Sequence, residues 1–548
     1  MKKLIKHWNI TLGVLLMIVL GGMIVFAPLL DRLNPYAPPL LEHELDDLTP
    51  DWSLVTDNNW SPWYATPEGT TIWSPAKSFN AWLETVPEED KAWPLLLDAY
   101  FAHEELFEHE DIGRSRWEAD DWHGLVKLLE QSEHAQVVPD LLEALSKPVL
   151  GCGLYASTDP VLHAKLVEYG QEDPDWDPAL REDSDLFHAF VPSLGKQRNA
   201  RRLLLTYAVI NLEQGDIDGA LTIFETVFNS TRHGHEYPSA LGSLVEIADR
   251  KKTLDLLLPS IIDNPNAYTE PRLARVDAML SQASHARMVW TSEVLMFHDL
   301  VRRLASPTGG LNHAKAEHII EDLGTKYILT PANNLPAQQL KPVLQRPLYL
   351  YGQAFSRIEN QSDIPWEGEV IGGYDYVMTE FESVHPIFKD IIDIIAATTD
   401  KATAVTRHYN QQLHAGRLLV AAHRARLRHG QFLDTIEAID KDLLPITPVD
   451  AFSDEPLKYR VVDTKHGPSL LIYSVGTDRD DDEGWPMRTY DLSDLDDVDS
   501  TGVMFEKDLP PIATSPHWIT RSRVNEINAI DPNLINGDWV LYPIPDND

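Results

Sequence analysis

Residues 198–225 read RNARRLLLTYAVINLEQGDIDGALTIFE. Apolar side chains recur every three to four positions from Leu203 to Leu212, the period of one helix face. Gly215 interrupts the run, and Gly219-Ala220-Leu221 with Phe224 opens a second one. Small side chains at Ala208, Gly219 and Ala220 allow two helices to approach closely, and leucine and phenylalanine fill the groove between them. The stretch therefore predicts a helix–turn–helix unit.

The same period extends outward from this unit. Trp122–Leu129 and Leu273–Leu280 repeat it, and Thr158-Asp159-Pro160 is a capping residue followed by proline in a first helical turn. Long alternating strand patterns are missing from residues 76–440. The Arg198–Glu225 unit resembles a tetratricopeptide-type helical pair, a fold in which each pair stacks on the next. Tyr237–Ile262 is the candidate second pair, but a period of about 34 residues is not sustained. The expectation is a mainly α protein whose 76–440 region is an irregular helical solenoid or bundle. A plain α-helical domain with one isolated match is the other reading.

At the N-terminal end, Trp8–Leu30 reads WNITLGVLLMIVLGGMIVFAPLL and carries no charge. Twenty-three residues of helix span about 35 Å, enough for a hydrocarbon core of roughly 30 Å. Lys2, Lys3 and Lys6 precede it, whereas Asp31, Glu42, Glu44, Asp46 and Asp47 follow. The positive-inside rule makes 1–7 a cytoplasmic stub and 8–30 a transmembrane anchor in the inner membrane. The remainder is then periplasmic or otherwise extracytoplasmic. A cleaved signal peptide is the rival reading, with Val25-Phe26-Ala27 as its site, but Pro28 would follow the cut and the apolar run is long for a signal core. Residues 31–75 read as a linker or cap: Pro35, Pro38, Pro39, Pro50, Pro62, Pro67 and Pro75 alternate with Trp52, Trp60, Trp63 and Trp73. Those indoles either pack on the domain below or form a membrane-interface or sugar-binding surface.

The pattern changes near Leu443. Lys458–Val462, Leu470–Val475 and Trp539–Tyr542 look like strands, so 441–548 is expected to be a small α+β module. It holds 22 acidic and 9 basic residues, a net of −13. Ala425–Leu444 (ARLRHGQFLDTIEAIDKDLL), then Pro448–Phe452, Pro456–Tyr459, Tyr473–Asp478 and Gly537-Asp538 together resemble the globular end of type II secretion major pseudopilins. That resemblance implies a small sheet closed by a calcium-binding loop, with Asp538 brought to the loop. Leu433 stands where that family has proline, and no prepilin cleavage site is present, so the chain is not a pilin subunit. The whole arrangement also resembles a broad group of anchored bacterial envelope proteins with an irregular helical body and this tail.

The formal charge of the 548 residues is −39, from 46 basic and 85 acidic side chains. Nucleic acid needs a basic face to release its counterions, so it is not expected as a partner. Cys152 is the single cysteine, which excludes an intramolecular disulfide and a CxxC metal site. Forty-eight aromatic residues indicate a packed core rather than a disordered chain.

Asp478-Arg479-Asp480-Asp481-Asp482-Glu483-Gly484 offers the best metal site. Alternate carboxylates at Asp478, Asp480 and Asp482, joined by Asp538, supply hard oxygens for calcium, which takes about six to eight. Glu483 and Thr489 occupy positions six and twelve of this loop, so it is not an EF-hand; a solvated turn is the alternative. His103-Glu104 and His109-Glu110 hint at zinc, but Phe107 replaces the second histidine of HExxH. A solvated helical surface is preferred there, and His233 and His235 are expected to be surface loop residues. Gly151-Cys152-Gly153-Leu154-Tyr155-Ala156 matches a loose dinucleotide fingerprint without the alternating strands and helices it needs. Cys152 is expected to be a buried structural thiol. No nucleophile elbow or phosphate loop occurs.

These readings converge on a non-enzymatic, membrane-anchored interaction or scaffold protein that presents its helical body to an envelope protein or peptide. An envelope glycan or peptide hydrolase using paired carboxylates and tryptophan platforms is the alternative. An accessory of a secretion apparatus is a third reading.

Overall fold

A computed structural model describes residues 82–107, 122–131, 134, 136–152, 193–236, 240–282, 399–464, 467–476, 481, 483 and 539–542. The protein is mainly helical with a small three-stranded sheet. Among the described residues no helix is long and apolar enough to cross a membrane; the anchor read at Trp8–Leu30 and the cap at 31–75 lie outside them.

The N-terminal part of the described residues contains the short helices α1 (Trp93–Ala102), α2 (Glu104–Phe107), α3 (Trp122–Leu129) and α4 (Val137–Ser146). Pro94 suits the first turn of α1, where its missing N–H would have no partner anyway. Trp93, Leu96 and Leu97 of α1 pack against Leu141, Ala144 and Leu145 of α4, and all six are buried. The segments flanking this pair are laced by backbone bonds, Ala92 N to Val149 O at 2.9 Å and Trp93 N to Leu150 O at 2.7 Å.

The expected helix–turn–helix unit is present as α5 (Ser193–Glu213) and α6 (Ile217–Ser230). Its turn satisfies the orphan carbonyls of α5: the N–H of Gly215 reaches Leu212 O at 3.1 Å and that of Asp216 reaches Asn211 O at 2.8 Å. Gly215 sits at φ +81°, a left-handed conformation that costs a side chain energy. Asp216 then caps α6, its carboxylate accepting the Gly219 N–H at 3.0 Å. A Cβ on Gly219 would lie 2.2 Å from that carboxylate, so the glycine is what lets the cap close.

A 3₁₀ turn (Thr231–Glu236) leads into α7 (Ala240–Asp263), then α8 (Glu270–Gln282) and, after undescribed chain, α9 (Thr399–His429). The segment read as a second helical pair, Tyr237–Ile262, is instead one 24-residue helix from Ala240. Pro259 does not split it, because a proline so near the end removes only one ladder bond, to Asp255 O. α6 and α9 each pack against both α7 and α8, while α5 packs on α6 and α7. Gly416 of α9 marks the closest approach: a Cβ there would meet Leu258 of α7 at 2.7 Å and Leu280 of α8 at 3.8 Å.

α9 is the hub of the fold. Ala415, Leu418, Leu419, Val420, Ala421, Ala422 and Ala425 are all buried, so the helix is covered on every side. α7 and α8 cover part of it, and strands of the tail cover another. It ends at Gly430, φ +78°, whose N–H bonds Arg426 O at 2.8 Å. The sheet runs β1 (Lys458–Thr464), β2 (Gly467–Ser474), β3 (Trp539–Tyr542), both pairs antiparallel, with a register irregularity between Ile472 and Tyr473. β3 returns its side chains to the helices. Tyr542 is fully buried beside Asp255 of α7 and Tyr409 of α9, and body and tail belong to one core cluster.

Candidate functional site

The acidic turn begins just after β2. The proposed calcium ligands Asp478, Asp480, Asp482 and Asp538 lie outside the described residues, whereas Asp481 and Glu483 are described. Asp481 is spent on the scaffold. Its Oδ1 accepts the Tyr473 hydroxyl and the Glu483 N–H, both at 3.1 Å, and its Oδ2 lies 3.2 Å from Lys458 Nζ. Partial burial works against its charge, but the Glu483 N–H, Lys458 and Tyr473 outweigh that and hold the carboxyl below its ordinary range. Arg460 donates to the Glu483 carbonyl at 2.7 Å, fixing a residue at φ +59°. Two cations of β1 thus clamp the turn to the sheet.

Behind the turn stands Asp450, fully buried. Its Oδ1 accepts Phe452 N–H at 2.9 Å and Ser474 Oγ–H at 2.8 Å; its Oδ2 accepts Val475 N–H at 2.9 Å. Burial pushes its pKa up, against these three donors. Asp450 therefore ties the loop before β1 to the end of β2, where the acidic turn starts. Ala451 N–H also bonds Gln411 of α9 at 3.0 Å, so the site is referenced to the helical body. The aspartate lies in the Pro448–Phe452 segment singled out above, but its role depends on a partner strand that sequence spacing does not reveal.

In the body, several charged side chains are tied by ion pairs. Arg201 of α5 donates to Asp249 at 2.9 Å, Gln197 at 2.8 Å, Ser230 O at 2.8 Å and Ser230 Oγ at 3.1 Å. Arg250 pairs with Glu246 at 2.8 Å and donates to Thr231 at 2.8 Å. Arg272 reaches Asp218, and Arg275 reaches Glu225, joining α8 to α6; Arg424 reaches Glu270 and Asp277, joining α9 to α8.

The expectation that His233 is a surface residue is corrected. It is buried, its Nε2 lies 2.8 Å from Lys147 O, and burial followed by the charge of Arg201 lowers its pKa to about 3. The turn can tuck inward because Gly234 lies against the Gly242 backbone, where an added Cβ would sit 3.2 Å from the carbonyl oxygen. Beside it, the Glu236 carboxylate turns both oxygens onto the N–H groups of Leu150 and Gly151, and burial raises it to about 7. Cys152 is half-buried against the core.

His103 is also more engaged than expected. Its Nδ1 meets Nδ1 of His134 at 3.2 Å, a partner 31 residues away that spacing rules do not find; His109 and Glu110 lie outside the described residues. Among the described residues no group of three or more His, Cys, Asp or Glu side chains is placed to hold a metal. Trp93 and Trp122 are buried and Trp82 is half-buried, while Trp52, Trp60, Trp63 and Trp73 lie outside the described residues.

No family model, curated protein or solved structure matches this chain. Functional inference therefore rests on its own geometry.

Proposed function

We propose that this chain is a single-pass inner-membrane protein, anchored by residues 8–30 with its N-terminus cytoplasmic, whose extracytoplasmic body is an interaction scaffold. The observation that carries this reading is the buried ion pair between Arg201 of α5 and Asp249 of α7. Such pairing fixes helices relative to one another and leaves their outer faces to present a surface. The uncharged run Trp8–Leu30 and its lysine-to-acid charge step support the anchor. The formal −39 charge favours a protein or peptide partner over nucleic acid. Crosslinking in intact membranes, followed by recovery of the tagged chain, should return one reproducible envelope partner. Recovery of the chain alone, across repeated preparations, would discard the scaffold reading.

The tail is read as a pseudopilin-like module with calcium held by Asp478, Asp480, Asp482 and Asp538. Support comes from the alternate spacing of Asp478, Asp480 and Asp482 in the sequence, beside an Asp481 that Lys458 and Tyr473 hold to the sheet. A structural role follows, since a cation would offset the acidic excess of the turn beside the Asp450 hub. Calcium added to the full-length protein in detergent should bind saturably and raise its melting temperature, and Asp480→Ala should abolish both effects. Absence of binding at millimolar calcium would reduce the segment to a solvated turn.

A further inference from the structure

The 3₁₀ turn Thr231–Glu236 grips the loop after α4 at both ends. At the near end, Arg232 donates to Lys147 O at 3.2 Å, and the Nε2–H of His233 donates to the same oxygen at 2.8 Å. At the far end, one oxygen of the Glu236 carboxylate accepts the Leu150 N–H and the other accepts the Gly151 N–H at 3.1 Å. Gly151 sits at φ +76°, and two successive N–H groups converge there on one carboxylate. A Cβ on Gly151 would lie 2.6 Å from Lys91 Cγ, so the Lys91 stem lies over the loop. Val149 and Leu150 also accept from Ala92 and Trp93 at the start of α1. The grip therefore ties the α1–α4 pair to the turn between α6 and α7.

The two ends differ in how they answer a proton. Most cations around the turn are held by acids of their own. Lys91 of the loop's neighbour pairs with Glu88, Lys147 with Glu143, Arg201 of α5 with Asp249, and Arg250 of α7 with Glu246. Arg232 is the cation that acts on Glu236. Burial raises the Glu236 pKa from 4.5 to about 7, against the two N–H groups and Arg232. Glu236 is partly exposed, so solvent supplies its proton. Released into water, the carboxyl regains its ordinary value. The gripped form is then favoured by protonation, and its advantage is lost as pH rises from 4.5 to 7. His233 is buried with its pKa lowered to about 3, so it stays neutral across that range and keeps Lys147 in place.

We infer that the Thr231–Glu236 turn and the Lys147–Gly151 loop form a pH-responsive latch, with Lys147 as its pivot and Glu236 as the catch that holds Leu150 and Gly151 in mild acid and swings out to water as it ionises. Opening is local. The packing of α4 on α6 and of α1 on α5 does not pass through the catch and persists when it lets go. What changes is the hold on the loop that ends α4 and lies against the start of α1. The latch thus sets how firmly the first helical pair is fastened to the rest of the body, in response to the proton concentration outside it.

The test is hydrogen–deuterium exchange of the full-length protein in detergent between pH 5 and 8, with each rate divided by the intrinsic rate at that pH. The opening constant of the Leu150 and Gly151 amides should rise by up to about tenfold per pH unit toward 7 and level off above it. In Glu236→Gln it should not vary with pH. Arg232 is exposed, so Arg232→Gln keeps the test sound if Glu236→Gln does not fold. Loss of its charge should move the levelling point to higher pH. A flat wild-type profile, or the wild-type slope retained in Glu236→Gln, would overturn the latch. So would a parallel loss of protection at Gly215 and Gly430, whose N–H groups close other helices, because that marks global unfolding.

Discussion

Arg201 is 1% exposed and spends its guanidinium on Asp249, Gln197 and Ser230. Removing one partner of such a pair strands the other charge in the interior. Arg201→Ala should therefore cost about 3–5 kcal/mol, read as a lowered urea midpoint. His233 and His423 pose the opposite problem, because burial holds both neutral with pKa values of about 3. A depressed folded pKa gives stability that is present above the unfolded value of about 6.5 and lost as pH falls toward 3. The protein should lose up to about 5 kcal/mol per histidine on acidification to pH 3, and His423→Phe should blunt the fall in melting temperature. Glu236 works against this trend: raised to about 7, it weakens the fold as pH rises from 4.5. Glu236→Gln should remove that part of the profile. None of these roles was legible in the sequence. His233 reads as a loop residue beside Gly234, and the Arg201 pair joins α5 to α7 over a distance in chain that no local pattern encodes. Asp481 was readable as part of an acidic run, but its commitment to Lys458 depends on which strand lies beside it.

Helices α3 and α8 were legible from their apolar period, and α5 and α6 because that period and the turn glycines point the same way. At Gly215, Asp216 and Gly219 local chemistry alone specifies the hairpin, which is why that reading held in detail. Gly215→Ala places a side chain at φ +81° and should cost roughly 1–2 kcal/mol in thermal unfolding. α7 is one helix where the sequence suggested a candidate second pair over Tyr237–Ile262. Its polar residues Glu246, Asp249 and Arg250 face inward, Asp249 paired with Arg201 of α5 and Glu246 with Arg250 one turn along the same helix, so burial does not follow hydrophobicity there. Gly416 lies at the contact of α9 with α7 and α8, a site invisible without the packing. Gly416→Val should cost about 1–3 kcal/mol through overpacking against Leu258, with secondary structure retained by circular dichroism.

At the scale of the whole molecule, α9 is shared: helices cover part of it and the sheet covers another, and Tyr542 closes the seam between them. The change of composition near Leu443 was readable, but the common core across it was not, because the buried positions of β3 lie far along the chain from the helices they touch. Tyr542→Ala should cost about 3–5 kcal/mol and shift the unfolding of helices and sheet together, since both draw on one core. Two separate calorimetric transitions in the wild type would refute a common core. The order in which the chain is made adds a constraint. Synthesis delivers α9 long before β3, so a growing chain carries the Tyr409 face of that helix uncovered until β3 arrives. Premature termination or clipping before Trp539 leaves that face open to proteases and to other sticky chains.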